Sequence, residues 1–346
     1  MKWTDLILLI SLINLFGCRS SPRDVHPVET TQEVDAGGHR LRMLVTGKGT
    51  PTVVLESGFG AGIESWTKVQ PSVSRFSSVV SYDQAGVGGS EPSPKPRTAR
   101  QIASELHTAL TNAGLRPPYV LVGHSIGGPY IHVFANMYPT EVAGMVFVDP
   151  TQESFSHGNV DLTGWLKDHH PETLRQMEDQ FDRAKLPEGI RDFLRVQWAD
   201  AMKRGEEILA SAPERLRDQW ANVLNKEKLE MMREESLQSF ATMPQSIREG
   251  FEGILSTLEQ AEAAWPLPNV SVIVLANSKR DTRLAPAEQA LEAIRIEARL
   301  SQYRKWLGRV PTGELTITEQ SGHDIPNEEP ELVISAIRQV IESTER

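Results

Sequence analysis

Apolar positions along the chain fall into two kinds of run. Short, nearly unbroken stretches occur at 52–56 (Thr-Val-Val-Leu-Glu), 78–82, 119–122, 145–148 and 271–275. Runs of that length and continuity predict strands covered on both faces, as in a parallel sheet flanked by helices. Residues 39–46 alternate instead, which predicts a half-exposed strand, and Gly47-Lys-Gly-Thr-Pro51 follows as a turn. A further strand-like run is Leu315-Thr-Ile-Thr318. Between these runs, 98–113, 129–138 and 329–344 carry apolar residues at helical spacing. Alternating strands and helices predict an open α/β sheet.

Residues 151–265 break the rhythm. They hold no strand-like run, many helix formers and the tryptophans Trp165, Trp198, Trp220 and Trp265. They also hold 14 basic and 22 acidic residues, a net of −8 within a chain whose formal charge is −10. The segment is expected to be a helical insertion between two strands, and Pro266-Leu-Pro268 returns the chain to the sheet. There is no internal repeat.

Length and composition narrow the picture. A chain of 346 residues, 39% apolar and 24% charged, suits one large domain or two modest ones with a substantial core. Its acidity argues against nucleic acid as a partner, which would call for a basic stripe. A single cysteine excludes an intramolecular disulfide framework and a cysteine-rich metal site.

That cysteine closes an apolar N-terminal run. Residues 6–16 are too few to span a bilayer, which takes about 20 apolar residues, but have the length of a signal-peptide core behind Lys2. Leu15-Phe-Gly-Cys18 resembles the lipobox of bacterial lipoproteins, in which cleavage leaves a lipidated cysteine as the first residue. The expectation is a signal peptide at 1–17, lipidation of Cys18, a polar tether at 18–33, and a protein held to a bacterial membrane facing the periplasm or the exterior.

The chemistry-bearing segment is 119–130, Tyr-Val-Leu-Val-Gly-His-Ser-Ile-Gly-Gly-Pro-Tyr. Gly123-x-Ser125-x-Gly127 sits between a strand and a helix. A sharp strand-to-helix turn there needs small neighbours and lifts the serine hydroxyl above the sheet edge. The five-residue pattern means little alone; its flanking elements give it weight. Ser125 is the candidate nucleophile, and a serine needs a base to take its proton. Of nine histidines, His323 is best placed, after the last strand-like run and before the final helix. His124 reads as structural. His169 and His170 lack metal-ligand spacing and read as surface residues. Two backbone amides should hold a developing oxyanion. Ile126 follows the nucleophile, and Phe59, with Gly60 as second choice, lies in the glycine loop after the first long apolar strand.

Ser57-Gly-Phe-Gly60, Asp83-x-x-Gly86-x-Gly88-x-Ser90, Gly123-His-Ser-Ile-Gly127 and Ser321-Gly-His323 occur in an order that resembles the α/β-hydrolase superfamily. The resemblance covers about residues 34–150 and 266–346. It implies a mostly parallel eight-stranded sheet with an inserted helical cap, here 151–265. It departs from the common pattern at Glu56-Ser57, where His-Gly is often seen. In the family the triad acid follows the sixth or the seventh strand. Asp149 ends the sixth strand-like run; Asp281 lies beyond the seventh, next to Lys279 and Arg280. Asp149 is the first choice of acid and Asp281 the alternative, with Glu153 and Asp324 behind them. The segment 83–90 lacks dinucleotide-binding spacing, and Gly47-Lys-Gly lacks the upstream glycine of a phosphate loop; the former reads as a structural turn.

The function expected is cleavage of a carboxylic ester, lactone, thioester or amide through Ser125, His323 and an acid, on a small-molecule acyl substrate and with no cofactor. A serine at position 125 argues against the relatives that use an elbow aspartate, the haloalkane dehalogenases and epoxide hydrolases. The alternatives are a hydrolase-fold binding protein without catalysis and an acyltransferase.

Overall fold

A computed structural model describes residues 31–151, 162–231 and 245–344, together with 233, 237, 238 and 242. The apolar run 6–16, Cys18, most of the expected tether and Glu153 lie outside the described residues.

Eight strands form one sheet: β1 (Thr31–Asp35), β2 (Arg40–Thr46), β3 (Thr52–Glu56), β4 (Ser78–Tyr82), β5 (Tyr119–His124), β6 (Val142–Val148), β7 (Ser271–Asn277) and β8 (Gly313–Thr318). Their order is β1-β2-β4-β3-β5-β6-β7-β8. Strand β2 pairs antiparallel with β1 and β4, and the remaining pairings are parallel. The first strand starts at Thr31, inside the segment expected as tether and ahead of the core boundary expected at 34. Its sequence, Thr-Gln-Glu-Val-Asp, buries only Val34 at the sheet edge, so it carries no apolar pattern to read.

The central strands are buried on both faces, which is why they read as continuous apolar runs. Along β3, Val53 and Leu55 face one apolar layer and Val54 the other. Along β6, Val146 and Val148 face the first and Met145 and Phe147 the second. The first layer is closed by Trp66 and by helix α12 (Pro330–Thr344), which presents Val333, Ile337 and Val340. The helix lies close because Gly144 has no side chain; a Cβ there would sit 2.2 Å from Val340 Cγ1. The second layer is closed by α2 (Ala99–Asn112) and α3 (Gly127–Met137). The short α1 (Gln70–Val73) leads into β4.

The insertion is helical, as expected. It comprises α4 (Leu162–His169), α5 (Pro171–Arg183), α6 (Glu188–Ser211), α7 (Glu214–Met231), α8 (Gln245–Glu252) and α9 (Ile254–Glu262). Its buried residues Met177, Phe181, Trp198 and Phe251 join the same apolar cluster as α2 and α3, so cap and sheet share one core. Among the described residues, no helix is long and apolar enough to cross a membrane. Helix α10 (Pro286–Leu307), between β7 and β8, is 22 residues long. Its apolar residues are spread round the axis, with Leu291 and Leu300 buried but Ile294 exposed, and the sequence pattern does not delimit it. The short α11 (Ile325–Glu328) precedes α12.

Candidate active site

Strand β5 ends in a tight turn, and Ser125 at its apex has φ 55°, a left-handed conformation rare outside glycine. Strain of this kind persists where the surroundings over-determine it. Here the Ser125 amide donates to Val148 O at 3.1 Å, and Ser125 O accepts from Gly128 N and Thr151 N, both at 3.0 Å. The flanking glycines are steric necessities. A Cβ on Gly123 would lie 2.5 Å from Gly127 O, and one on Gly127 would lie 2.7 Å from Glu56 O. Helix α3 begins directly after Ile126, so its positive end faces the turn.

His323 lies in the loop between β8 and α11. Its Nδ1 is 2.7 Å from Asp149 Oδ2. Asp149 follows β6 directly, also left-handed at φ 41°, and its amide donates to Leu275 O at 2.7 Å. Asn277, at the end of β7, donates to it twice, from the main-chain N to Oδ1 at 3.2 Å and from Nδ2 to Oδ2 at 2.5 Å. Arg299 of α10 stands behind, with Nη2 donating to Asn277 O at 2.6 Å and Oδ1 at 2.8 Å. Burial pushes the Asp149 carboxyl up, but the Arg299 charge, the His323 bond and the Asn277 amide outweigh it and hold it below the ordinary carboxylate range.

Of the other candidate acids, the two among the described residues are engaged elsewhere. Asp281 takes the guanidinium of Arg283 on both oxygens, at 2.8 and 3.0 Å. Asp324 caps α11 and accepts from Asn327 Nδ2. His124, read from the sequence as structural, is tied to the His323 loop. Burial and the neighbouring His323 push it down to about 3, so the ring is neutral, and its Nε2 faces His323 O at 2.9 Å and must donate.

The glycine loop after β3 runs past the elbow. A Cβ built on Gly58 would lie 3.3 Å from Ser125 Cβ. Among the described residues, neither Phe59 N–H nor Ile126 N–H donates to a main-chain carbonyl. The loop is fixed from behind: Trp66 Nε1 donates to Ser57 Oγ, which donates to Gly62 O, both at 2.9 Å. Asp83 fastens the two glycine turns together by accepting from Ile63 N and Gly89 N, each at 2.9 Å.

A model of the alpha/beta hydrolase family matches residues 53–336 of this chain. The chain belongs to the alpha/beta hydrolase family.

Among relatives, the uncharacterized protein YqjL of Bacillus subtilis is 35% identical over 99 residues, 29% of this chain and 39% of its own length. The chain spans well under half the length of the curated relatives it matches. Among solved structures, the epoxide hydrolase CorEH is 20% identical with TM-score 0.54, covering 90% of this chain and 98% of that chain. A thermophilic esterase from Thermogutta terrifontis is 18% identical with TM-score 0.53, covering 92% and 100%. Both likenesses establish the fold.

Two further features of this chain were not legible in the sequence. Glu56, where the family often has His, is fully buried beneath the glycine loop. It accepts from Tyr82 Oη and, at 2.6 Å, from Gln84 Nε2. Burial raises its carboxyl to about 7 against the pull of these two donors and Arg97. Second, the cap reaches the same loop: Phe59 packs on Phe251 of α8 with ring centroids 4.3 Å apart. Among the described residues, no group of three or more His, Cys, Asp or Glu could hold a metal ion.

Proposed function

We propose that this hydrolase cleaves carboxylic esters by two acyl transfers through Ser125, His323 and Asp149. Ser125 Oγ attacks the carbonyl carbon and its proton passes to His323 Nε2. The tetrahedral oxyanion lies against the N–H groups of Ile126 and Phe59, in the field of the α3 N-terminus. Collapse breaks the ester C–O bond; the leaving alkoxide takes the proton from His323 and departs as the alcohol. Water then attacks the acyl-enzyme, giving a proton to His323. The second collapse releases the carboxylic acid and returns that proton to Ser125.

The observation that carries this reading is the 2.7 Å contact between His323 Nδ1 and an ionised, buried Asp149. It fixes the tautomer with Nε2 free to act as base and stabilises the imidazolium. Ser125, the residue next to His124, supplies the nucleophile; a serine rather than an aspartate at the elbow favours acyl transfer over epoxide opening. The test is incubation of the full-length chain with a fluorophosphonate followed by peptide mass spectrometry. An adduct on Ser125, absent in Ser125→Ala, is expected. A folded protein that takes up neither the fluorophosphonate nor a small sulfonyl fluoride would favour a binding protein instead.

The location belongs to the same proposal. The Leu15-Phe-Gly-Cys18 sequence supports a lipid anchor at Cys18. Fatty-acid metabolic labelling that disappears in Cys18→Ala is expected, and labelling that persists would overturn it.

A further inference from the structure

Asp149 is 3% exposed and Asn277 7%, so the acid and its amide neighbour are shut off from water. An asparagine side chain has one accepting and one donating end, and its orientation is decided by its partners. Arg299 carries only donors. Its Nη2 lies 2.8 Å from Asn277 Oδ1, so that oxygen must face the guanidinium. The amide nitrogen is then turned the other way, into Asp149 Oδ2 at 2.5 Å. The same oxygen accepts from His323 Nδ1 at 2.7 Å. A chain of donors thus runs one way from α10 through β7 to the end of β6. Tyr303, one turn after Arg299, donates to Pro150 O at 2.7 Å and holds α10 against the residue that follows the acid.

We infer that Arg299 is a positioning residue for His323: acting through Asn277, it fixes the orientation of the Asp149 carboxylate, and as the cation behind that carboxylate it offsets part of the negative charge the imidazole faces. This rests on the triad reading above. The charged and titratable groups facing His323 and its loop are Asp149, the neutral ring of His124, 4.8 Å away, and Arg299 behind Asp149. Glu328, bonded to Gly322 N and Lys279 Nζ, flanks the loop, as do Glu329, which accepts from Ser321 Oγ at 3.1 Å, and Asp324, which accepts from Asn327 Nδ2. Of these, Arg299 and Lys279 are cations, and only Arg299 reaches the acid. Removing it leaves Asp149 a stronger partner for the imidazolium, so the His323 pKa should rise.

The experiment pairs two readouts on the full-length chain. Histidine NMR titration reads His323 directly, and the pH dependence of kcat/KM for p-nitrophenyl acetate reads the site at work. In Arg299→Met, the His323 midpoint is expected to rise by about half a unit or more, and the acid limb of kcat/KM to move with it. The plateau should fall by about 10- to 100-fold, as for loss of a charge-assisted network. Arg299→Lys should return the midpoint towards wild type. Asn277→Leu, which breaks the chain but keeps the cation, should match Arg299→Met in the plateau, and the double variant should lose no more than either, because both break one chain. Should Arg299→Met not fold, Arg299→Gln removes the charge while keeping a donor, and the same rise is expected. A folded Arg299→Met or Arg299→Gln whose His323 titrates as in wild type, or plateau losses of Arg299→Met and Asn277→Leu that add, would overturn the inference. A shifted titration in a protein that does not hydrolyse the ester would leave Arg299 in place and remove the esterase reading instead.

Discussion

His124 Nε2 donates to the main-chain oxygen of His323 at 2.9 Å, so the residue before the elbow serine braces the loop that carries the imidazole. Because His124 is held near 3, it stays neutral across the working range and acts by geometry. His124→Phe leaves the His323 carbonyl without that donor, which costs about 1–3 kcal/mol where the group stays buried. Small displacements at a reacting centre cost far more in rate than in stability. A fall of about 10- to 100-fold in kcat/KM for p-nitrophenyl acetate is expected, with an unshifted pH profile. Unchanged kinetics in the folded variant would show that the loop needs no brace.

The two aspartates considered from the sequence separate by environment. Asp149 contacts His323 Nδ1, whereas Asp281 is bound to Arg283. Asp149→Asn should lower kcat by about 10³- to 10⁴-fold, because the amide favours the wrong imidazole tautomer. Asp281→Asn should change it by less than about threefold, because its half-buried carboxylate is bound to Arg283 on both oxygens. Comparable losses in the two variants would move the acid to the seventh strand.

Glu56 makes stability depend on pH. Its carboxyl titrates near 7 in the folded chain and near 4.5 when unfolded, so between those values the folded state binds more protons. The contribution is fully present below about 4.5 and is lost as pH rises through 7, on the order of 3 kcal/mol in all. Urea unfolding at pH 5 and pH 8 should show the wild type weaker at the higher pH, and Glu56→Gln should flatten the difference. A wild type whose stability changes between pH 5 and pH 8 no differently from that of Glu56→Gln would contradict the assignment.

The cap enters through Gly250. A Cβ there would lie 2.8 Å from Phe59 Cε2, so Gly250→Ala must displace the ring and press on the glycine loop that runs past the elbow. The alanine itself suits a helix, by up to about 1 kcal/mol. Turnover is expected to fall by about 3- to 10-fold with stability nearly unchanged. If turnover is retained, Phe59 N–H is not coupled to α8.

The core of the sheet was legible because burial on both faces writes itself as unbroken apolar runs: β3 and β4 match the expected bounds to the residue. The edge was not. Strand β1 buries one side chain, and its pairing with β2 is carried by backbone groups that no side-chain pattern reports. The elbow was legible for a steric reason, since only glycine fits at 123 and 127. Asn277, Arg299 and Phe251 were not, because each acts through a neighbour far along the chain, and nothing local marks them. The choice between Asp149 and Asp281 turned on the same point, since a carboxylate's partner 174 residues away is set by topology alone.

The ends of β5 and β6 are stitched together. Ser125 N donates to Val148 O, and Thr151 N donates to Ser125 O on the far side of Asp149. Serine and aspartate therefore move as one body, set in the middle of the sheet. His323 arrives separately, on a loop that leaves the edge strand β8. Of the three groups, it alone is held by side chains, His124 and Asp149, rather than by main-chain bonds between neighbouring strand ends. Any loosening that starts at the margin, whether from heat, denaturant or a bound partner on β8, disarms the site by withdrawing the imidazole while the elbow keeps its shape. Catalysis should then fade before the sheet melts, and return as soon as one loop finds its seat.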